Sequence, residues 1–168
     1  MKLRTKLRSK MAVAFEEAFP RVYKRFTLKI SKGNADVVES KLTKPLPDCR
    51  VALLTSAGVH LKKDVPFDVD SSGDYSYRII PGDTEDSDLE VTHIYYNTKD
   101  AKVDKSIVFP LAQLRQLGEA GKIGSVSDVN IGVNGGTLKP GPHEQETAPE
   151  VARLLKDDGV DVVLLVPG

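Results

Sequence analysis

Apolar and polar positions divide the chain into two parts with different rhythms. Near the N-terminus, Val13, Phe15, Phe19, Val22, Tyr23 and Phe26 recur at helical spacing, and Pro20 predicts a break among them. Lys44-Pro45-Leu46-Pro47-Asp48 reads as extended linker, because each proline disfavours helix in the residue before it. From Cys49 onward, short apolar runs alternate with polar or glycine-rich breaks. Cys49-Arg50-Val51-Ala52-Leu53-Leu54-Thr55 predicts a short buried strand. Residues 61–74 are polar and acidic and predict a surface loop. Residues 75–80 and 89–95 predict two further strands, the second carrying His93, with Pro81-Gly82-Asp83 as the turn between. Pro110 suits the first turn of a helix whose apolar face is Leu111, Leu114 and Leu117 and which Gly121 ends. Residues 123–126 and 129–133 are short strand candidates, followed by the turn signal Asn134-Gly135-Gly136. Thr147, with Glu150 three residues on, predicts a capping box for a helix that buries Val151, Leu154 and Leu155.

The run Gly159-Val160-Asp161-Val162-Val163-Leu164-Leu165-Val166-Pro167-Gly168 organises the rest. It is apolar, rich in β-branched residues and entered from a helix, which predicts a strand buried on both faces in the middle of a parallel sheet. Residues 50–55 and 160–166 should then be parallel strands of one sheet, adjacent or nearly so. The expected fold is α/β: an open, mostly parallel twisted sheet with flanking helices, Rossmann-like and incomplete at the C-terminus. Residues 1–48 read as a basic helical leader and linker, and residues 49–168 as the α/β domain. In open α/β sheets the chemistry lies beyond the carboxyl ends of the parallel strands.

Composition changes this picture in three ways. The net charge of zero hides an asymmetry. Residues 1–32 carry ten Lys/Arg against Glu16 and Glu17, a net of +8, and the remainder carries fourteen against twenty-two, a net of −8. The basic block suits a solvated helical extension that docks on a partner or on the acidic domain; a nucleic-acid adaptor is the rival reading, without the interleaved aromatics of a stacking platform. With Cys49 as the sole cysteine, an intrachain disulfide framework and a cysteine zinc site are excluded. No apolar run reaches the length of a membrane span and no signal peptide is visible, so the expected location is cytoplasmic and reducing.

Candidate chemistry is sparse. The loop Ser56-Ala57-Gly58-Val59-His60 follows the first core strand, and its small residues let backbone approach a ligand. It is no dinucleotide fingerprint, since no G-x-G-x-x-G follows. His60, His93 and His143 lie far apart without metal-ligand spacing, so no metal site is expected. His60 reads either as a functional residue at a strand end or as a structural one; His93 reads as part of a structural turn, and His143, in a Gly-Pro loop, as solvated. Asp83, Asp86 and Asp88 lack the glycine and terminal glutamate of an EF-hand and read as a solvated acidic loop. Cys49, ahead of a buried strand, reads as inert, and no G-x-S-x-G or P-loop occurs.

The run from Cys49 to Leu61 resembles the opening strand and loop of the glycine/sarcosine/betaine reductase component B and D-proline reductase selenoproteins. The similarity continues through Tyr77-Arg78-Ile79-Ile80-Pro81-Gly82-Asp83-Thr84, Val91-Thr92-His93, Val108-Phe109-Pro110-Leu111, Glu146-Thr147-Ala148-Pro149-Glu150 and Asp158-Gly159-Val160-Asp161, in order over residues 42–168. The layout is most similar to the selenocysteine-bearing subunit of D-proline reductase. Asn130 stands where the family often carries a histidine.

The resemblance implies a subunit or fragment of a reductase that cleaves the C–N bond of D-proline, or of glycine, sarcosine or betaine, with a dithiol donor. It implies that the redox selenocysteine or cysteine follows Gly168 directly and that the reading frame stops at a UGA meant for selenocysteine, so that no catalytic residue is expected in the visible chain. Thr55, Ser56, Gly58, His60, Gly135 and Gly136 are the candidate substrate-binding residues. The implied partners are a subunit bearing a pyruvoyl cofactor or other reductase subunits, a thioredoxin-like dithiol donor and an amino-acid substrate, in an oligomer. The alternative is a non-catalytic α/β module that binds a small molecule or a partner.

Overall fold

The computed structural model describes residues 2–30, 40–136 and 141–168. The ends of the basic leader, Met1 and residues 31–32, lie outside the described residues. Two helices open the chain, α1 (Leu3–Ala18) and α2 (Pro20–Ile30). Phe19 ends the first and Pro20 takes the first position of the second, where its missing N–H costs nothing. The sheet elements are β1 (Arg50–Thr55), β2 (Val59–Leu61), β3 (Tyr77–Ile80), β4 (Leu89–Val91), β5 (Ser125–Val126), β6 (Asn130–Val133) and β7 (Val162–Val166). The flanking helices are α3 (Lys99–Val103), α4 (Leu111–Glu119) and α5 (Ala148–Asp157).

β1 is the axis. On one side it pairs in parallel with β5 at its start and β6 at its end, and on the other with β7 along its length, from Val51 beside Val162 to Thr55 beside Val166. β3 runs antiparallel on the far side of β6. The result is an open, mostly parallel sheet with helices on its faces, and residues 50–55 and 160–166 are neighbours as the apolar pattern predicts. β2 and β4 form a separate antiparallel pair. One face of β1 (Val51, Leu53) packs with Leu61, Leu89, Phe109, Leu111 and Leu114. The other (Ala52, with Leu54 partly buried) packs with Ile131 and, from α5, Val151 and Leu155.

β7 departs from expectation. It is an edge strand, not a central one: Leu164 is 43% and Leu165 67% exposed, and among the described residues no strand pairs with its outer side. Apolar composition measures a strand's hydrophobicity, and here does not report its place in the sheet. β4 stops at Val91, so His93 sits in the turn that follows rather than on a strand. Leu117, meant for the buried face of α4, is 45% exposed, since Leu111 and Leu114 already fill the contact. The linker prolines carry a short 3₁₀ turn, Leu46–Asp48, rather than extended chain throughout.

At the amino ends of β1 and β7, Arg50 ties the sheet together. Its guanidinium reaches Asp158 and Asp128 at 2.9 and 3.0 Å, and its backbone N–H donates to Asp161 at 2.7 Å. Burial pushes the Asp158 carboxyl up, but hydrogen bonds from Ser127 and Arg50 outweigh it and hold the group below its usual range.

Candidate functional site

The carboxyl ends of β1, β6 and β7 meet in one rim. After β1 the chain turns at Ser56, whose N–H donates to Val166 O at 3.2 Å and whose carbonyl accepts from Gly135 N at 2.8 Å. Gly168 N donates to Ser56 Oγ at 3.2 Å, which brings the end of β7 over the same residue. Thr55 is buried within the ladder, and its Oγ1 accepts from Ala57 N at 3.1 Å, fixing the turn. Asn134 Oδ1 accepts from Gly136 N at 2.9 Å, an Asx turn that holds the loop after β6. Gly58 adopts φ +74°, and a Cβ there would meet Thr92 O at 2.2 Å. Only glycine serves at such a close approach in the left-handed region.

Two walls flank the rim. On one side stand His93, Tyr95 and Tyr96. Tyr96 OH donates to Ala57 O at 3.1 Å, and burial pushes its phenol up to about 12. The His93 ring lies 4.8 Å from the Tyr96 ring, and its Nδ1 accepts from Tyr95 N at 3.1 Å. Burial lowers the His93 pKa to about 4, so the imidazole is neutral at pH 7. On the other side is the segment leading into α5. Residues 143–147 form a π turn in which Ala148 N–H donates to the carbonyl of His143, five residues back. Thr147 is already helical (φ −65°, ψ −47°) and makes no cap; its hydroxyl donates to Tyr75 O at 2.5 Å, while Glu150 accepts from Tyr77 OH at 2.9 Å. The expected capping box is therefore not formed, because the helix begins earlier and both partners bind the segment around β3. His143 is not solvated as expected: its ring stands edge-on to Tyr75 at 5.2 Å, and its Nε2 is buried without a hydrogen-bond partner among the described residues.

The family model for glycine/sarcosine/betaine reductase selenoprotein B (GRDB) matches residues 24–167. The chain belongs to this family. The D-proline reductase subunit gamma of Acetoanaerobium sticklandii is 43% identical over 131 residues, which are 78% of this chain and 53% of that protein. The chain thus spans about half the length of the curated relative it matches. No solved structure matches the chain.

For this member of the reductase selenoprotein B family, the structure sorts the residues named from sequence. Ser56, Gly135 and Gly136 gather at the rim with Gly168, and Thr55 lies just beneath. Gly58 is buried, its N–H and carbonyl both bonded, to Val133 O at 3.0 Å and from Thr92 N at 2.9 Å. His60 stands apart: it lies on β2, is 1% exposed, and both ring nitrogens are engaged, with Leu61 O at 2.8 Å and Thr92 Oγ1 at 2.9 Å. Cys49 lies at the opposite rim, with Sγ 3.3 Å from Pro45 O, and the length of β1, about 20 Å at ~3.3 Å per residue, separates it from Ser56. Among the described residues no group of three or more His, Cys, Asp or Glu gathers to hold a metal ion, and no helix is long and apolar enough to cross a membrane. Sequence reasoning missed Asn134 and His143. An asparagine ahead of Gly-Gly signals an Asx turn at a strand end, but nothing local marks the His143 ring as turned inward.

Asn130, where the resemblance leads one to expect a histidine, is fully buried. Its Oδ1 accepts from Leu53 N at 2.8 Å, and its Nδ2 donates to Ile80 O and Ser127 O at 3.2 and 2.8 Å. It fills the ladder where the chain leaves β1 between β5 and β6. That role is structural and lies below the rim.

Proposed function

We propose that this chain is the α/β part of a D-proline reductase subunit, which acts in the reductive cleavage of the Cα–N bond of D-proline. The observation that carries the reading is its 43% identity over 78% of the chain to a subunit of that name. The rim geometry supports it, since the ends of β1, β6 and β7 converge on Ser56 where a substrate would be presented. In the reaction the Cα–N bond breaks and a hydrogen adds to each atom. The ring opens to 5-aminopentanoate, and the dithiol that supplies two electrons becomes a disulfide.

The redox residue belongs outside these 168 residues, because the sole cysteine sits at the far end of β1. In this reading it is a selenocysteine or cysteine that follows β7, as the resemblance implies. A selenolate there, like an activated thiolate, would be largely deprotonated at neutral pH and would supply a strong nucleophile. The pyruvoyl group that the resemblance implies belongs to a partner subunit, and no residue of this chain is assigned to hold it. The chain's own part is to orient: the Ser56 turn and the Asn134 loop fix the rim, and neutral His93 with the Tyr96 ring walls one side against water.

The test is activity reconstituted from an extended protein. Lengthened to the span of its relative, with selenocysteine or cysteine after β7 and the partner subunit present, it should convert D-proline to 5-aminopentanoate with dithiothreitol. The 168-residue chain alone should not, and Cys49→Ala in the extended protein should keep most of the rate. D-proline reduction by the short chain, or complete loss of activity in a folded Cys49→Ala protein, would refute the assignment.

A further inference from the structure

A helix docked on its own domain ordinarily turns its apolar stripe inward. α1 does the reverse. At its start Lys2 N donates to Asp70 at 2.8 Å, and the Thr5 hydroxyl bonds the same carboxylate. Thr5 is buried, and Ser9, Ala12 and Val13 beside it are half-buried. Near the other end Glu17 accepts from Asn97 at 3.3 Å. The opposite side carries Leu3, Leu7, Met11 and Phe15, each four residues after the last, so they form one outward band. Leu3 is 83% and Met11 64% exposed, and exposed Phe19 and Val22 continue the band into α2. Between the two helices the band opens into an apolar groove of about 720 Å³, where the Phe15 ring lies 5.6 Å from Phe19 and 6.5 Å from Tyr23. Arg4 and Arg8 lie along one border of the band and Lys10 along the other, all exposed. Residues 2–30 carry nine Lys/Arg, five of them lysine, against Glu16 and Glu17.

We propose that the α1–α2 leader rests on the surface of an anionic phospholipid bilayer. The band from Leu3 to Val22 lies at the boundary of headgroups and acyl chains, and the flanking Arg and Lys reach the phosphates. An apolar band edged by basic side chains is the form of a helix held in a membrane interface, with the stems along the acyl region and the charges among the headgroups. Charge selects this occupant over the others. A second leader would bring two strongly basic bands face to face. Protein interfaces are depleted of lysine, which makes up more than half of the basic residues here. Nucleic acid would take the charges but leave Leu3, Leu7 and Met11 in water. The rest of the chain is net negative, so an anionic surface draws in the leader and repels the α/β domain, which sets α1 against the lipid with the domain behind it. Among the described residues no helix is long and apolar enough to cross the bilayer, so the contact is peripheral. It does not depend on the reductase reaction.

The experiment floats the whole 168-residue chain with lipid vesicles through a density gradient. Vesicles of equal parts phosphatidylglycerol and phosphatidylcholine should carry it upward, at least about tenfold more strongly than phosphatidylcholine alone, and the binding should weaken as salt rises. Leu7→Ser together with Met11→Ser should weaken flotation at least about tenfold. Both side chains are exposed, so circular dichroism should show the fold unchanged. Arg4→Gln with Arg8→Gln should remove most of the preference for anionic vesicles. Leu165→Ser, on the other exposed apolar strip, should float as the unaltered chain does. Failure to float, equal flotation on both kinds of vesicle, or flotation untouched by the Leu7 and Met11 changes would overturn the proposal. So would vesicles left unbound while the same chain dimerises, or captures an acidic helical peptide, through Leu7 and Met11, since the band would then belong to a protein contact.

Discussion

Single residues decide both the strength of the core and its response to pH. Asn130 serves three backbone groups from three segments, and all three lose their partner if it is truncated. Asn130→Ala should therefore destabilise the domain by roughly 2–4 kcal/mol, read as a lower urea midpoint at unchanged slope. Leu53→Ala, at a fully buried position on the other face, should cost a similar ~2–5 kcal/mol through the cavity it leaves. His93 acts through protons instead. Unfolded, it takes up a proton near pH 6.5; folded, burial delays this to about 4. Between these values unfolding binds a proton, so stability falls as the pH drops from about 6.5 to about 4 and its contribution is flat outside that window. The loss is at most about 3 kcal/mol. Urea unfolding at pH 7, 6 and 5 should show the decline, and His93→Phe should flatten it; an unchanged slope in that variant would mean another group is responsible.

At the level of elements, the parallel pair β1–β7 was legible because each strand is a short apolar run bounded by polar or glycine breaks. The helices were legible from Leu111 and Leu114, and from Val151 and Leu155, at helical spacing. The break between α1 and α2 followed from Pro20. What periodicity could not carry was position in the sheet. Val162 to Val166 reads the same whether flanked or exposed, so its place at the edge came only from the structure. The three-residue pair β2–β4 is too short for a period, so His60 read as a loop residue. The site was half legible: Ser56 and the two glycines follow from the rule for strand ends, whereas the inward turn of His143 depends on Tyr75, some seventy residues away, and on a π turn with no sequence mark. The leader makes its own prediction. Lys2 N donates to Asp70 at 2.8 Å and Glu17 accepts from Asn97 at 3.3 Å, but Leu3, Leu7, Met11 and Phe15 of α1 are exposed. Removal of residues 1–32 should leave the sheet folded, with the thermal midpoint of the α/β domain little changed; collapse of the domain would show that the leader completes the core.

The whole molecule is an axis with unequal sides. β1 is covered on both faces and paired along both edges, while β7, which completes that pairing, has no strand on its outer edge among the described residues, and Leu164 and Leu165 stand out of the sheet there. A row of free N–H and C=O groups bordered by large apolar side chains is a template for another strand. In a concentrated solution that template works on the protein itself. Two molecules can zip β7 to β7, and the growth of such assemblies should rise steeply with concentration and be seeded by preformed ones. Preparations should therefore have a working concentration above which light scattering climbs. Leu165→Lys, which places a charge on that edge without touching the buried side of the strand, should raise the threshold and lengthen shelf life.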